Sequence, residues 1–592
     1  MCGIVGGAGT ANWRSFVLEG LKKLDYRGYD SSGIAYLEKG NISLYRKVGR
    51  VDDLESILPH FVNAEAAIGH TRWATHGTPS DKNAHPHYSE GKYFYLVHNG
   101  VIENFKDLKN RLKELGYSFY SDTDTEVIAN LLEWHFLNDS HQDILDSIVK
   151  TMKDLQGSYA CAILCKESSN LYFMKNASPL LIGEGEGSNF LASDAVPMIG
   201  LASKFIDLSD GDYGYLNAHE VRVFHDLKET RKRYVERKAE QFSFDKGNYP
   251  HFMLKEIEEE PKVISRLIDN YFDDYNFLFD TDMISLLKES DDIIFLACGT
   301  SYYASQVGVS YMHSLNKRSE AFLASEWAYY HNIDSKHPVF ILLSQSGETA
   351  DIIACQKVIN ALGLINIAIT NTKGSTLERQ ASFSNLLYAG LEVAVAATKS
   401  YVAQISFLAL LTGAMSNSPE VVKYLKDLSR CIGEVITNKE KIHEIAKELV
   451  NTRDAFFVGR GMDFNASLEC ALKLKEISYI HSEAYAGGEL KHGPIALIEN
   501  ETPIFGLVSD PVSAMALRNN LTELESRRAK VYVISSSSLS AEGDAFILPD
   551  VKGRLSCILE VVFGQYLSYF VSLEKGLPID KPRNLAKSVT VQ

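Results

Sequence analysis

The second half of this chain is written twice, and that duplication constrains its fold more than any other feature. Ile294-Phe295-Leu296-Ala297-Cys298-Gly299-Thr300-Ser301-Tyr302-Tyr303-Ala304-Ser305 runs parallel to Phe456-Phe457-Val458-Gly459-Arg460-Gly461-Met462-Asp463-Phe464-Asn465-Ala466-Ser467. At about the same offset, Val339-Phe340-Ile341-Leu342-Leu343-Ser344 corresponds to Ile504-Phe505-Gly506-Leu507-Val508-Ser509, and Asn366-Ile367-Ala368-Ile369-Thr370 to Val531-Tyr532-Val533-Ile534-Ser535. Each run is apolar, of strand length, and followed by helical spacing. Each copy therefore predicts a parallel sheet covered by helices on both faces. Two doubly wound α/β domains are expected, over 285–424 and 450–580.

Ligands of such sheets sit beyond the carboxyl ends of the strands. In the first copy that position holds Ser344-Gln345-Ser346-Gly347-Glu348-Thr349, entering a helix. Hydroxyls and backbone N–H groups there make an anion site without lysines. Simple helix capping is the alternative, but three hydroxyls and a glycine in one turn favour phosphate. The second copy has Ser509-Asp510-Pro511-Val512-Ser513, which adds a carboxylate and loses an N–H at proline, so only the first copy is expected to bind phosphate. The chain carries a formal charge of −16, so local geometry must attract an anionic substrate against the overall field. That charge, with no basic run, argues against nucleic acid as a partner.

At 592 residues the chain exceeds one core, and three or four domains are expected. Residues 2–217 mix short alternating stretches, such as Tyr93-Phe94-Tyr95-Leu96-Val97, with helical patterns such as 124–136, which predicts strands and helices in separate layers. Region 218–284 reads as a linker, its charge runs Arg231-Lys232-Arg233 and 256–260 as solvated surface. The stretch Ile405-Ser406-Phe407-Leu408-Ala409-Leu410-Leu411 is too short for a membrane span. The eight cysteines lack metal-type spacing and read as reduced thiols of a cytoplasmic protein. No signal peptide is expected ahead of Cys2.

Cys2, in Met1-Cys2-Gly3-Ile4-Val5-Gly6, is expected to become the N-terminus when the initiator methionine is removed. Its amine (pKa ~7.7–8) can then act, directly or through water, as general base for the adjacent thiol (~8.5). The plainer reading is a buried strand cysteine. Four further clusters also have ordinary explanations. Asn99-Gly100, in Val97-His98-Asn99-Gly100, is a hairpin signal ending an apolar strand. Asp122 or Thr123, in Ser121-Asp122-Thr123-Asp124-Thr125-Glu126, caps a helix, with Glu126 completing a capping box. Tyr26-Arg27-Gly28-Tyr29-Asp30-Ser31-Ser32-Gly33 is a polar turn running into a strand. His70-Thr71-Arg72-Trp73-Ala74-Thr75-His76-Gly77 packs a cation, an indole and two hydroxyls into one loop, without zinc-ligand spacing.

Taken together with Cys2, these clusters resemble the class II glutamine amidotransferases, enzymes of the N-terminal-nucleophile hydrolase type. The resemblance covers residues 2–217 and implies a four-layer αββα sandwich. It implies that Cys2 attacks the glutamine carboxamide to form a thioester, and that the Asn99 side chain and Gly100 N–H form the oxyanion hole. It also implies that Arg72 grips the α-carboxylate, that Asp124 takes the α-amino group, and that Arg27 lies near the thiol. The loop with Trp73, Thr75, His76 and Gly77 would close over glutamine.

The duplicated half resembles tandem sugar isomerase (SIS) domains. The full order, glutaminase then two SIS domains, resembles the isomerizing glutamine–fructose-6-phosphate aminotransferases. So does the tail 581–592, in Asp580-Lys581-Pro582-Arg583-Asn584-Leu585-Ala586-Lys587-Ser588-Val589-Thr590-Val591, which composition alone reads as a fraying terminus. By this resemblance Ser301, Ser344, Gln345, Ser346 and Thr349 hold the sugar phosphate, with Thr300 close by and the Val395 backbone near the sugar hydroxyls. Lys587 forms a Schiff base with the open-chain ketone, Glu476 moves the proton between C1 and C2, and Lys473 assists. His492 opens the ring from the neighbouring subunit, which implies a homodimer. Independently of the family, Glu469, Lys473 and Glu476 fall at i, i+4 and i+7 on one helix face, with apolar flanks that favour a cleft over a surface ion-pair row. Ala397, in Val395-Ala396-Ala397-Thr398-Lys399, stands where the family pattern has serine, a lost contact worth ~0.5–1.5 kcal/mol.

The implied substrates are L-glutamine and D-fructose 6-phosphate, with no metal, flavin or nicotinamide cofactor and no membrane or nucleic-acid partner. Ammonia released at Cys2 has to reach the sugar without meeting bulk water, so an internal channel is expected, with Trp73 as its gate. The rival readings are an amidotransferase for another sugar phosphate, a deglycase, and a phosphosugar sensor without turnover. Cys2, Arg72 and Asp124 count against the deglycase, and Glu476, His492 and Lys587 against the sensor.

Overall fold

The computed structural model describes residues 2–25, 28, 30–74, 76–235, 246–330 and 333–589. Arg27 and Thr75, both expected at the glutamine site, lie outside the described residues. The chain forms two compact units, Met1–Phe244 with Ser588–Val591, and Asp245–Lys587 with Gln592.

The first unit is an αββα sandwich. One sheet has eight strands, with Gly3–Gly9 between Ser188–Ala192 and Ala66–Arg72. The other has seven, with Phe94–Ile102 paired to Gly157–Cys165. Ile4, Ile68 and Leu191 of the first sheet meet Val97, Ala162 and Phe173 of the second in a core with almost no solvent exposure. The outer face of the first sheet packs on helix Trp13–Leu24. That of the second packs on Thr125–Leu137 and Ile144–Asp154. The alternation of the strand sequences explains the layering, since each strand buries one set of side chains between the sheets and the other under helices.

The second unit holds the duplication. Its first sheet runs in the order Ser319–Leu323, Asp292–Ala297, Pro338–Ser344, Ile365–Thr370, Phe383–Leu386, all parallel. Its second repeats that order with His481–Ala486, Asp454–Gly459, Pro503–Val508, Lys530–Ser536 and Phe546–Leu548. Helices α1 (Gly299–Ser314), α2 (Lys399–Ser416), α3 (Met462–Ser478) and α4 (Ser556–Glu574) join both sheets into one core. Helix α4 is long and apolar enough to cross a membrane, but 89% of its apolar window is buried inside the protein. It is the apolar segment that the sequence reading overlooked, because Glu560 and Gln565 interrupt it.

The region 218–284 departs from a linker. Val221–His225 and Lys228–Glu229 continue the seven-stranded sheet, and Tyr234–Val235 ends the eight-stranded one. Phe252–Glu258 and Glu260–Tyr271 are helices whose Met253, Ile257, Ile264 and Leu267 belong to the core of the second unit. The carboxylates of 256–260 are not all solvated either: Glu256 is 2% exposed and Glu260 0%. Their acidic spelling conceals an amphipathic pair of helices whose buried face includes charge.

Candidate active sites

In the first unit, strand Gly3–Gly9 delivers Cys2 to the end of the inner sheet beside the chain leaving Ala66–Arg72. The Trp73 N–H donates to Cys2 Sγ at 3.1 Å. Burial pushes the thiol pKa up, opposed by the positive charge of the amino terminus, the Trp73 N–H and Arg72. A thiolate formed here thus has a donor in place, but needs a base to form it.

Asn99 and Gly100 do not close a hairpin. Strand Phe94–Ile102 runs through them, with Asn99 opposite Ala160 and Gly100 opposite Tyr159. Gly100 has φ +131°, and a Cβ there would stand 2.0 Å from the Ser158 carbonyl oxygen; only glycine lets the strand distort at this point. Asn99 Nδ2 donates to the Cys2 carbonyl at 3.0 Å. His70 Nε2 lies 2.9 Å from Asn99 Oδ1 and 3.1 Å from the His98 carbonyl. Both partners are oxygens, so Nε2 carries the hydrogen, and the Asn99 amide is turned with its N–H₂ toward Cys2. Burial brings the His70 pKa down to about 3, holding the ring neutral. His70 is a site residue to which the sequence reading gave no role; its signal was its place at the head of the polar cluster 70–77.

Arg72 is 3% exposed. Its Nη2 donates to the carbonyls of His76 and, at 3.2 Å, Gly77. Its Nη1 is buried with no hydrogen-bond partner among the described residues. Asp124, 4% exposed, accepts the Ile102 N–H at 3.0 Å. A buried guanidinium with a spare N–H beside a buried carboxylate suits a zwitterion. The expected capping box is replaced: the helix starts after Asp124, and Glu126 reaches back to accept the N–H groups of Tyr120 (2.8 Å) and Ser121 (2.7 Å). Asp122 instead pairs with Lys82 at 2.8 Å.

In the second unit, the loop 344–349 leads into helix Ala350–Ala361. Ser344 Oγ lies 3.0 Å from Thr349 Oγ1 and accepts the Gly347 N–H at 3.1 Å, and Ser346 Oγ accepts the Glu348 N–H at 3.2 Å. The hydroxyls thus converge on the helix N-terminus. At the start of α1, Ser301 Oγ accepts from Gln404 Nε2 at 2.8 Å. The second copy fills the same position with its own carboxylate. Asp463 accepts the Ser509 N–H (3.0 Å), the Ser509 hydroxyl (2.6 Å) and the Asp510 N–H (3.2 Å). This side chain from α3, rather than Pro511 alone, takes up the donors of the second copy's loop.

Glu469, Lys473 and Glu476 lie on one face of α3. Lys473 Nζ is 3.3 Å from Glu469, 2.6 Å from Glu476 and 3.0 Å from Thr300 Oγ1 of the first copy. Side-chain exposures of 1% for Lys473, 0% for Glu469 and 20% for Glu476 exclude a surface ion-pair row. Burial pushes Glu469 up to about 8, against the pull of Lys473. Burial alone would lower Lys473, but the charges of Glu469 and Glu476 raise it above the ordinary lysine value.

The C-terminal segment docks beside this cluster. The Asp580 carboxylate accepts the N–H groups of Phe252 and Met253, each at 2.9 Å, and its carbonyl accepts the Val395 N–H at 3.0 Å. Val395 therefore has only its carbonyl left for a ligand. Arg583 stacks 4.2 Å over Tyr479. Lys587 Nζ then donates to Glu392 Oε2 at 2.5 Å. The Glu392 side chain is 0% exposed and also accepts from the Thr398 N–H, the Ser400 N–H and the Ser400 hydroxyl. Burial pushes this carboxyl up, but the Lys587 charge and these hydrogen bonds outweigh it and hold it down to about 2. Burial and the Glu392 charge push neighbouring Glu256 the other way, up to about 8. Glu392 was missed in the sequence, although one carboxylate inside Leu391-Glu392-Val393-Ala394-Val395-Ala396 is a signal. His492, closing the turn Glu489–His492, is exposed, and no hydrogen bond joins it to this cluster.

Comparison with known proteins agrees with this division. The SIS domain family matches residues 286–414 and 448–546, and the glutamine amidotransferase domain family matches 70–199. A protein of Geobacillus kaustophilus named glutamine–fructose-6-phosphate aminotransferase [isomerizing] is 44% identical over 100% of both chains. One of the same name from Lactiplantibacillus plantarum is also 44% identical over 100% of both. Among solved structures, the C-terminal domain of glucosamine-fructose-6-phosphate aminotransferase from Francisella tularensis matches 57% of this chain and 100% of its own, with TM-score 0.54 and 29% identity.

Proposed function

The chain belongs to the isomerizing glutamine–fructose-6-phosphate aminotransferase family, and we propose how its residues divide that family's work. It converts L-glutamine and D-fructose 6-phosphate into L-glutamate and D-glucosamine 6-phosphate. The observation that carries this reading is the 44% identity that extends over the whole chain.

At the first site Cys2 attacks the carboxamide carbon of glutamine. The thiol proton passes to its own amine and then to the departing ammonia, leaving a glutamyl thioester that water hydrolyses. The Asn99 amide and the Gly100 N–H stabilise the oxyanion; the hydrogen bond from His70, which turns the Asn99 N–H₂ toward Cys2, supports this role. Arg72 binds the α-carboxylate through its spare Nη1, and Asp124 binds the α-ammonium. Trp73 and His76 cover the substrate.

At the second site Ser344, Gln345, Ser346, Thr349 and Ser301 bind the phosphate, with Thr300 and the Val395 carbonyl along the sugar. His492 of a neighbouring subunit opens the ring, a reading supported by its exposure. Lys587 condenses with the C2 ketone and expels water. Ammonia then displaces the lysine, and Glu476 carries the proton between C1 and C2 while Lys473 neutralises the developing oxygen charge. Ammonia must arrive unprotonated, because ammonium has no lone pair for C2. We place the enzyme in the cytoplasm as a homodimer; eight unpaired cysteines support the compartment.

The test is to mix the protein, with no residues ahead of Cys2, with glutamine and fructose 6-phosphate and to follow products by NMR and mass spectrometry. Glucosamine 6-phosphate is expected from the parent and not from Cys2→Ala. Glutamate without amino sugar would redirect the reading to another acceptor, and neither product would overturn it.

A further inference from the structure

Beyond the carboxyl ends of Pro503–Val508 and Lys530–Ser536, in the second copy, lies a cavity of about 720 Å³. It corresponds by the internal repeat to the ligand side of the first copy, since Ser509 stands where Ser344 does. Ligand sites in doubly wound sheets occur at this end of the strands, and the volume suits a small molecule.

Its charges are unlike those of the chain as a whole. Lys423, Lys426 and Lys552 line it, are exposed, and make no ion pair or hydrogen bond among the described residues. The other charged lining groups are already engaged. Asp427 pairs with Arg430 at 2.7 Å, and Asp550 accepts the Ser538 N–H and hydroxyl at 3.1 and 2.7 Å. The lining holds four cations (Lys423, Lys426, Arg430, Lys552) and two carboxylates (Asp427, Asp550), and this local excess of positive charge reverses the field of a chain of formal charge −16.

A further observation points to a polar occupant. Ser536 lines the cavity and is only 5% exposed, yet its hydroxyl has no hydrogen-bond partner among the described residues. A buried hydroxyl left unpaired costs roughly 1–3 kcal/mol, a cost that a ligand hydroxyl would remove. The loop N–H groups that hold an anion in the first copy are taken by Asp463 here. An anion in this cavity must therefore be held by side chains.

We propose that this cavity is a second ligand site, for a small polyhydroxylated phosphate monoester. Its phosphate lies among Lys423, Lys426 and Lys552, and its hydroxyls bond Ser509, Ser536 and Ser556. The site is separate from the catalytic cluster and independent of the roles assigned there.

The full-length protein would be titrated calorimetrically with inorganic phosphate and with D-glucosamine 6-phosphate. Two sites per chain are expected for the monoester. Ser344→Ala with Thr349→Val should remove one. Lys423→Gln/Lys426→Gln/Lys552→Gln should weaken the other by tenfold or more and flatten its salt dependence, with saturated turnover unchanged. Ser536→Val, which fills the cavity without touching charge, should weaken the same site. One site per chain in the parent, or a second site indifferent to both the lysine and Ser536 variants, would overturn the proposal. If instead the catalytic reading were wrong, the Ser344/Thr349 variant would leave both sites in place while the lysine variant still removed one.

Discussion

Replacing Glu392 with glutamine should separate the two halves of the reaction. The substitution keeps the side chain's shape and lets Oε1 still accept from Thr398 and Ser400, but it presents an N–H₂ where Oε2 meets Lys587 at 2.5 Å. Breaking a buried ion pair from one side costs ~3–5 kcal/mol when both groups stay buried. Here they need not. Lys587 lies in an irregular segment beyond helix α4, so it can leave its pocket and release much of that energy. The fold is then spared and catalysis carries the loss, because the amine no longer stands ready at the ketone. At ~1.4 kcal/mol per tenfold, a loss of ~3–4 kcal/mol corresponds to a ~10²–10³-fold fall in glucosamine 6-phosphate formation. Glutamate release at Cys2, followed in parallel, should fall far less, and Glu392→Asp should recover part of the amination. Amination by Glu392→Gln within threefold of the parent, with the fold intact, would refute the assignment of Lys587 as an amine positioned by Glu392.

Gly347 has φ +66°, and a Cβ there would lie 2.2 Å from Ser375 Oγ; strain of ~1–3 kcal/mol in the phosphate loop should raise the KM of Gly347→Ala for fructose 6-phosphate about tenfold or more, measured by steady-state kinetics. Arg72→Lys removes the planar fork and its spare Nη1, so the KM for glutamine should rise ~10–100-fold, as losing a charge-assisted bond of ~1.5–3 kcal/mol requires, with sugar binding unchanged by calorimetry. Burial raises Asp463 from 3.8 to about 6 despite its hydrogen bonds to Ser509 and Asp510. The folded state therefore holds that proton more tightly than the unfolded chain, and stability falls by about 3 kcal/mol as pH rises from about 4 to 6. Asp463→Asn should flatten that part of a denaturant-unfolding series against pH.

Whatever depends on neighbours in the chain was readable from the residues alone. The two copies of strand, turn and helix, the hydroxyl-rich turn 344–349, and the row Glu469, Lys473, Glu476 are each set by periodicity and a few local bonds. The same locality misled at Asn99-Gly100, where a turn dipeptide lies inside a strand, because pairing with 157–165 across the sheet outweighs a two-residue preference. What only the tertiary structure decided is where charge is buried. Glu392 meets Lys587 across 195 positions and Glu256 meets Val393 across 137. Asp463 takes donors 46 and 47 residues away and so closes the second copy's anion turn. Sequence reads an acidic run such as 256–260 as solvated, since a lone carboxylate is costly to bury. Folding reverses that reading wherever distant donors arrive together, and only the assembled core brings them.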